Sequence, residues 1–397
     1  MLDSVQAKKL VMKAVPLSPT KTVNSDSVTS ETLRCDIKAD RDSPPFDRVA
    51  MDGIAIVFET YEGGQREYKI EGCQAAGAPQ LSLSAPSMCL EVMTGSSMPE
   101  GCDTVIPYER VAINDGIAVI DQDAIVKHGQ NIHKKGSDYQ KGQVLLTSGT
   151  TTGPSEWGTI LSSGYTSVSV STKPKIAIIS TGDELVDFRN TPLPHQIRQS
   201  NVWAIQAALK RFHFDEGSIF HINDQLPVMM KQTEDILKNF DFILFSGGVS
   251  RGKFDFVPEA LNSAGVSQTF HRVAQKPGKP LWFGQGESQQ MVFGLPGNPI
   301  STQLCFYEYV LPALCKFTDS PLPRATMVKL GEPVVFKKPL TLFQLVTRSE
   351  SSDEVVYPVK NNGSGDYYSL TRSQGYITLP QAEDSFKAGQ KFPAYFW

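Results

Sequence analysis

One stretch near the middle of the chain decides the fold class. It reads Asp241-Phe-Ile-Leu-Phe-Ser-Gly-Gly-Val-Ser-Arg-Gly-Lys-Phe-Asp255. The apolar run 242–245 is too short for a helix and is followed by turn-forming residues, which predicts a buried strand. Gly247 and Gly248 allow a sharp turn that brings backbone N–H groups close to a ligand. Pro258 is tolerated in the first turn of a following helix. Strand, glycine loop (residues 246–250) and helix start suit an anion such as phosphate, although a plain tight turn explains the loop alone equally well.

The composition excludes several classes of protein. A length of 397 residues predicts two to four domains, and 40% apolar with 20% charged residues is typical of a soluble globular protein. A net charge of −4 argues against a nucleic-acid binder that relies on overall charge. No apolar run could span a membrane or form a signal peptide. The six cysteines are scattered without a Cys-x-x-Cys pair, so we expect free thiols and a cytoplasmic location.

Between about residue 175 and residue 315, apolar runs alternate with segments of helical spacing. The runs are predicted strands at 176–180, 219–222, 242–245 and 291–294. Helices are predicted over 202–212, from Pro227 onwards, and from Pro299 to about Cys315. Alternating strands and helices predict a parallel sheet covered on both faces, with ligands at the carboxyl ends of the strands.

The flanking regions have a different pattern. Short strands separated by Gly, Pro and Asp predict a small β domain over 43–127 and an all-β domain near the carboxyl end. Residues 155–164 could form one short helix between them.

Acidic residues follow three of the predicted strands. Glu184, Asp224 and Asp255 could hold Mg²⁺ through oxygen ligands, and the amides of Gly247, Gly248 and Val249 could hold a phosphate. Each cluster alone is explained as a turn, but convergence of several at one rim predicts a site.

Two lysines lie close together on a proline-containing loop. Lys276 and Lys279 could clamp a diphosphate or an oxyanion such as molybdate, and a solvated surface is an equally good explanation. In the small β domain, Asp52, Thr94 and the later Asp138 suit a polar ligand, although turn capping is the stronger interpretation for Thr94 alone.

Six motifs occur in an order that is specific as a set. They are Pro45-Phe-Asp-Arg-Val-Ala-Met-Asp-Gly53, Met93-Thr-Gly95, Ser180-Thr-Gly-Asp-Glu-Leu185, Ser246-Gly-Gly-Val-Ser250, Lys276-Pro-Gly-Lys-Pro280 and Leu295-Pro-Gly-Asn-Pro299. In order and spacing the set resembles the molybdopterin molybdenumtransferases, the family that contains the gephyrin E domain. The resemblance runs from about Ser43 to the carboxyl end.

The resemblance implies a multi-domain α/β plus β protein that forms an elongated homodimer. It implies an N-terminal linker domain (1–42 and 128–172), a small β domain (43–127), a doubly wound molybdopterin-binding α/β domain (173–319) and a C-terminal β-barrel-like domain (320–397). The implied reaction is Mg²⁺-dependent: adenylylated molybdopterin and molybdate react, AMP is released and molybdenum is attached to the dithiolene. The molybdopterin adenylyltransferase and recipient molybdoenzymes are implied partners, without nucleic acid or membrane.

The resemblance also assigns roles to residues. Catalytic roles fall on Asp52, Glu184, Asp224, Lys276 and Lys279, with Glu184 and Asp224 as metal ligands. Substrate-binding roles fall on Thr94, Asp138, Ser246, Gly247, Gly248, Val249, Ser250, Asp255, Pro296, Pro299 and Ser301. In a dimer, Asp52 and Thr94 would serve the partner's site.

The sequence departs from the family pattern in three places, the smallest of which is Gln-Gly for the more usual Asn-Gly at Gln374-Gly375. Arg251 and Lys253 stand where the family commonly has an acid after the glycine loop. The family's aromatic-x-Arg in the C-terminal domain is Phe343-Gln-Leu345 here, with Arg348 three residues on. A molybdopterin adenylyltransferase and a non-catalytic molybdopterin-binding scaffold stay open as alternative functions. Whether the natural oxyanion is molybdate or tungstate also stays open.

Overall fold

The computed structural model describes residues 1–214, 217–250, 252 and 255–397. Arg251 and Lys253 therefore lie outside the described residues. The chain divides into two compact units, each assembled from separate stretches of sequence. The first comprises Met1–Cys35, Gly149–Gly153 and Ser167–Trp397, and the second comprises Asp36–Ser148 and Pro154–Thr166. The four domain boundaries expected from the sequence stay a prediction.

A six-stranded sheet forms the centre of the first unit. In spatial order its strands are Ser218–Ile222, Ile176–Thr181, Phe242–Ser246, Met291–Leu295, Trp282–Gln285 and Ser267–His271. The first four are parallel and confirm the predicted strands. Trp282–Gln285 pairs antiparallel with both of its neighbours, Met291–Leu295 and Ser267–His271, so the expectation of a purely parallel sheet is wrong at this edge. Trp282 and Phe283, which follow the lysine pair, lie in this antiparallel strand, and Ser267–His271 forms the edge.

Helices cover both faces of this sheet, because its strands are apolar on both sides. Phe242 and Leu244 pack with the helices Ser4–Ala14, Asn201–Arg211, Pro299–Cys305 and Leu311–Phe317. Ile243 and Phe245 pack on the opposite face with the helices Leu226–Leu237 and Val257–Ser263. All four strand residues are fully buried, and each contributes roughly 1.5–3 kcal/mol of hydrophobic stabilisation. The predicted α/β architecture is confirmed.

The helix predicted from Pro299 to about Cys315 is not uniform. A π-helical turn, Phe306–Val310, separates Pro299–Cys305 from Leu311–Phe317. Such a turn inserts an extra residue and changes which side chains face each neighbour. It therefore directs Glu308 and Tyr309 in ways that a simple helical wheel does not predict.

The carboxyl end of the first unit is a closed five-stranded barrel. The strands are Thr341–Arg348, Val355–Pro358, Thr326–Leu330, Lys391–Phe396 and Gly375–Leu379, and the last pairs with the first. The barrel-like domain is thus confirmed, although the sequence pattern did not reveal Thr326–Leu330, Lys391–Phe396 and the helix Tyr367–Thr371. Gln275–Lys276 joins the barrel by pairing with the strand Thr341–Arg348.

The remaining elements of the first unit are short. They are the strand pairs Thr20–Asn24 with Ser167–Ser171, Leu185–Val186 with Ile197–Arg198, and Val334–Val335 with Ser385–Phe386, and the 3-10 turn Ser25–Ser27. In the described part of the chain, no helix is long and apolar enough to cross a membrane.

The second unit is built on another six-stranded sheet. In spatial order its strands are Thr104–Pro107, Gly53–Ile56, Met88–Val92, Glu67–Gln74, Ile117–Ile120 and Val111–Asn114. Two short pairs, Arg48–Val49 with Ile132–His133 and Ile37–Lys38 with Val144–Leu146, accompany it, with the helices Phe58–Glu62 and Pro154–Ser162 and the 3-10 turn Tyr108–Arg110. The predicted strands of the small β region and the short helix are confirmed.

Candidate functional site

A pocket of about 630 Å³ opens at the carboxyl ends of the parallel strands in the first unit. This is where an open α/β sheet binds ligands. Most of the first unit's predicted site residues line it: Glu184, Asp224, Ser246, Gly247, Gly248, Val249, Ser250, Asp255, Pro296, Pro299 and Ser301. The structure therefore brings together the clusters that follow four different strands.

The glycine loop needs its glycines for steric reasons. Gly247 and Gly248 have φ of 107° and 67°, in the region that favours glycine. A Cβ at Gly248 would lie 2.7 Å from Val257 Cγ2 and 2.8 Å from Thr181 Oγ1. The loop therefore packs directly against the end of a neighbouring strand and the start of the following helix.

The loop amides are only partly available for a ligand. The Gly247 N–H donates to the carbonyl of Leu295 at 3.0 Å, so the expectation that this amide holds a phosphate is not supported. Among the described residues, the amides of Gly248 and Val249 make no such hydrogen bond. An anion would therefore meet the second half of the loop. His271 supports this half, because its Nε2 lies 2.8 Å from the Val249 carbonyl oxygen.

Asp224 has the most unusual environment of the pocket acids. Its Oδ1 is buried and has no hydrogen-bond partner in the described structure. Its backbone N–H donates to Asp183 Oδ1 at 3.2 Å. Burial first, and then the negative charges of Asp183, Glu184 and Asp255, raise the pKa of Asp224 above its ordinary value of 3.8. An ionised carboxylate in this position is costly until a cation or a donor satisfies it.

These oxygens fit a hard cation such as Mg²⁺. Thr181 Oγ1, which also lines the pocket, is a second buried oxygen without a described partner. Glu184 and Asp224 supply carboxylate oxygens of the type that Mg²⁺ binds. Asp255 differs, because its Oδ2 accepts a hydrogen bond from the Gly252 N–H. In the described part of the chain, no group of three or more His, Cys, Asp or Glu side chains is arranged to hold a metal ion.

Asn201 joins two loops of the pocket and was missed by sequence reasoning, which assigned it no role in the site. Its Nδ2 donates to Ser246 Oγ at 3.1 Å and to the Gly297 carbonyl at 2.7 Å. The signal was available, because a helix after a parallel strand begins at the rim where the strands end. Helix Asn201–Arg211 begins at that rim.

Arg198 and Ser364 were also missed. Arg198 is the only base among the described lining residues, and its Nε donates to the Phe188 carbonyl at 3.2 Å. Ser364 comes from the C-terminal region, and its Oγ accepts a hydrogen bond from Asn298 Nδ2 at 2.8 Å. No local pattern marks Ser364 as a site residue.

The predicted lysines are not among the described lining residues of the pocket. Lys276 is exposed, and its Nζ lies 5.5 Å from the centre of the Phe336 ring. Lys279 is partly exposed. Pro280, directly after Lys279, does line the pocket. The loop that carries the lysines therefore reaches the site, although their side chains do not.

The second unit contains Asp52, Thr94 and Asp138. Asp52 Oδ1 accepts hydrogen bonds from the Thr94 N–H at 2.6 Å and from Thr94 Oγ1 at 2.7 Å. These two bonds, the backbone one first, lower the pKa of Asp52 below 3.8. Asp138 Oδ2 accepts a hydrogen bond from Ser43 Oγ at 3.4 Å. Asp52 and Thr94 thus form one local pair, and Asp138 belongs to a separate turn.

Three family models match the chain in order. They describe the MoeA N-terminal region (domains I and II) at residues 2–164, a probable molybdopterin binding domain at 177–316, and the MoeA C-terminal region (domain IV) at 327–397. A molybdopterin molybdenumtransferase of Synechocystis is 40% identical over all of both chains. The chain belongs to the molybdopterin molybdenumtransferase family.

Other members of this family are more distant in sequence. A molybdopterin molybdenumtransferase of Staphylococcus epidermidis is 29% identical over 97% of this chain and 93% of its own. A crystal structure of a molybdopterin biosynthesis MoeA protein from Pyrococcus horikoshii is 25% identical and covers all of both chains with a TM-score of 0.84. The fold is therefore that of the molybdenumtransferases over the whole length.

One departure from the molybdenumtransferase pattern has a clear structural outcome. Arg348 lies with its guanidinium 4.0 Å from the centre of the Phe396 ring and 3.4 Å from Asp353 Oδ1. Leu345, in the segment that lacks the base, is buried in the C-terminal barrel region. Arg348 is not among the described lining residues of the pocket, so it does not supply the missing base there.

Proposed function

We propose that the pocket binds adenylylated molybdopterin together with Mg²⁺ and molybdate, and that the enzyme releases AMP as it attaches molybdenum to the dithiolene. The chain is an enzyme of molybdenum cofactor biosynthesis that inserts molybdenum into molybdopterin, as its family membership shows. The observation that carries the finer proposal is the unsatisfied Asp224 Oδ1 beside the glycine loop.

The phosphate groups would lie against the second half of the glycine loop. The amides of Gly248 and Val249 are the donors that the loop leaves to a ligand among the described residues. Arg198 adds a positive charge at the same pocket. Backbone amides and a guanidinium aimed at phosphate oxygens stabilise the charge that develops when a diphosphate is cleaved.

Glu184 and Asp224 would hold the Mg²⁺. When bound, the ion would neutralise charge on the phosphate oxygens as a Lewis acid. Asp224 contributes a carboxylate whose Oδ1 is already buried and without a described partner, so no described hydrogen bond of that oxygen would break when the ion binds. Asn201 donates hydrogen bonds to Ser246 Oγ and to the Gly297 carbonyl, and so connects the glycine loop to the proline loop (residues 295–301). No protein nucleophile is required, because water or a molybdate oxygen can attack phosphorus.

We assign molybdate binding to the lysine loop (residues 276–280). Its two ammonium groups and the pocket-lining Pro280 support this assignment. Asp52, Thr94 and Asp138 are proposed to act on the same substrates. We also propose that the protein has four domains, forms a homodimer and is located in the cytoplasm. Its product would pass to a recipient molybdoenzyme.

The deciding experiment is an assay of the purified protein with adenylylated molybdopterin, molybdate and Mg²⁺. We expect AMP release that depends on Mg²⁺, with Glu184→Ala and Asp224→Ala folded but inactive. No AMP release would overturn the proposal. ATP-dependent adenylylation of free molybdopterin would identify an adenylyltransferase instead, and binding without any turnover would identify a scaffold.

A further inference from the structure

A buried polar network lies directly behind the lysine loop. Its members are Gln275, Tyr309 and Cys305, and each is at most 1% exposed. The Tyr309 hydroxyl donates to Gln275 Oε1. The Gln275 Nε2 donates to the Gly278 carbonyl at 3.2 Å and lies 3.5 Å from Cys305 Sγ. The amide side chain of Gln275 therefore connects the long helix to the backbone of the loop.

The π-helical turn explains how the helix reaches this loop. It is the segment Phe306–Val310, and it carries two adjacent polar residues with different partners. Glu308 accepts hydrogen bonds from Lys8 Nζ at 2.9 Å and from the Tyr376 hydroxyl at 2.7 Å. Tyr309 instead bonds to Gln275. Turns of this type are frequent at functional sites, because they redirect side chains within a helix.

The loop fits tightly against this network. Gly278 has φ of 87°, and a Cβ there would lie 2.5 Å from Cys305 Sγ and 2.8 Å from Gln275 Nε2. The same Cβ would lie 3.8 Å from the carbonyl oxygen of the pocket residue Ser301. The Leu281 N–H donates to the Gly278 carbonyl at 3.1 Å, which closes the loop from the other side. The Gly278 carbonyl is therefore fixed by two N–H donors, with Cys305 Sγ as a weaker third donor at 3.9 Å.

We propose that Gln275 and Tyr309 are positioning residues that set the conformation of the lysine loop for oxyanion binding. They touch no substrate. They act by holding the Gly278 peptide, which stands between Lys276 and Lys279 and two residues before the pocket-lining Pro280. This inference rests on the proposed function of the lysine loop. It extends that function to Gln275 and Tyr309, which would act without contacting the substrate.

Tyr309→Phe tests the proposal with the smallest change, since only one hydroxyl is removed. We expect the KM for molybdate to rise about tenfold, as loss of one buried hydrogen bond allows, while kcat changes by less than about twofold. The measurement is the initial rate of AMP release at varied molybdate. Gln275→Met should raise the same KM, and the double variant should equal the stronger single one, because both act through one contact.

The matched control is Tyr376→Phe. Tyr376 is also buried, and its hydroxyl donates to Glu308 of the π-helical turn rather than to Gln275 behind the lysine loop. This variant should lose similar stability and keep the wild-type KM for molybdate. Equal KM values for the Tyr309 and Tyr376 variants would overturn the positioning role.

A second readout does not depend on turnover. Acetic anhydride should acylate Lys276 and Lys279 at a different rate in Tyr309→Phe and at the wild-type rate in Tyr376→Phe, as read by mass spectrometry. Unchanged acylation in both variants would count against the proposal. A wild-type enzyme that releases no AMP would instead count against the proposed function, so the two failures are distinguishable.

Discussion

Asp224 and Asp52 are the same side chain in two opposite environments. Asp224 lies in the pocket of the first unit with a buried oxygen that has no described partner, and its pKa is raised. Asp52 lies exposed in the second unit, where Thr94 donates two hydrogen bonds to one oxygen, and its pKa is lowered. An acid with a buried and unpaired oxygen is suited to bind a ligand, whereas an acid whose oxygen already accepts hydrogen bonds stabilises its own turn. Asp224 is therefore the stronger candidate for a functional residue.

Asp224→Asn should give the largest effect. The substitution keeps the size of the side chain and removes the charge that would hold Mg²⁺. We expect AMP release to fall by a factor of about 100 or more, as for loss of a preorganised electrostatic group. Because ionised Asp224 is disfavoured in the folded protein, the Tm at neutral pH should stay the same or rise. Kinetic assays and calorimetry measure the two quantities.

Asp52→Asn is the matched control for this variant. It makes the same chemical change in the other environment, so activity should fall much less than in Asp224→Asn. Equal losses of activity in the two variants would contradict the ranking. A large fall in the Tm of Asp224→Asn would show that the carboxylate stabilises the fold and not a ligand site.

The sequence predicted the architecture around Asp224 because that information is local. A short apolar run such as 242–245, bounded by turn residues, indicates a buried strand, and polar clusters after parallel strands meet at one rim. The same rule predicts that Glu184, Asp224 and Asp255 lie together, and all three line the pocket. It could not indicate which acid keeps an unsatisfied oxygen, since that depends on packing across strands.

Other features depended on contacts between distant segments. Ser364 reaches the pocket through Asn298, which lies 66 residues earlier in the chain. The side chain of Lys276 lies over Phe336 because the short strand that carries it joins the C-terminal barrel. The strands Trp282–Gln285 and Ser267–His271 were not among the predicted strands, and their antiparallel pairing joins segments about 14 residues apart. No spacing rule within one segment contains this information.

Gly248→Ala should give the next largest effect. The added methyl group would meet Val257 and Thr181 at 2.7 and 2.8 Å in a backbone conformation that alanine avoids. We expect a loss of about 1–3 kcal/mol in the free energy of unfolding, with weaker phosphate binding. Urea denaturation measures the first quantity, and calorimetric titration with AMP measures the second.

Gly95→Ala in the second unit separates the effect of the disfavoured backbone conformation from the effect of the steric contacts. Gly95 also has positive φ, at 84°, but a Cβ there would meet no atom within 4 Å. The Gly95→Ala variant should therefore lose only the part of the free energy of unfolding that comes from the disfavoured backbone conformation, about 1–2 kcal/mol. Its binding of AMP should be unchanged. If Gly95→Ala weakens AMP binding as much as Gly248→Ala, the steric explanation for the glycine loop is wrong.

Thr94→Val should have a smaller effect confined to Asp52. Valine keeps the shape of threonine and the backbone N–H, so one of the two hydrogen bonds to Asp52 remains. The pKa of Asp52 should rise towards its ordinary value, as a carboxyl NMR titration would show. Activity should fall only a few-fold, as expected for one exposed hydrogen bond. A titration curve that does not move would contradict the assignment of the lowered pKa to Thr94.

The pH dependence of stability should show the smallest effect, with opposite signs for the two acids. The folded pKa of Asp224 lies above 3.8, so between 3.8 and that value the folded state binds more protons than the unfolded state. The free energy of unfolding therefore falls as pH rises through this window.

The folded pKa of Asp52 lies below 3.8, so the stability that ionised Asp52 contributes is present above pH 3.8 and is lost as pH falls through the folded pKa. Relative to wild type, Asp224→Asn should become more stable with rising pH, and Asp52→Asn should become less stable over its own lower window. Urea denaturation of the three proteins between about pH 3 and pH 6 measures both differences, and slopes of the same sign would show that the two environments do not differ as the hydrogen bonds indicate.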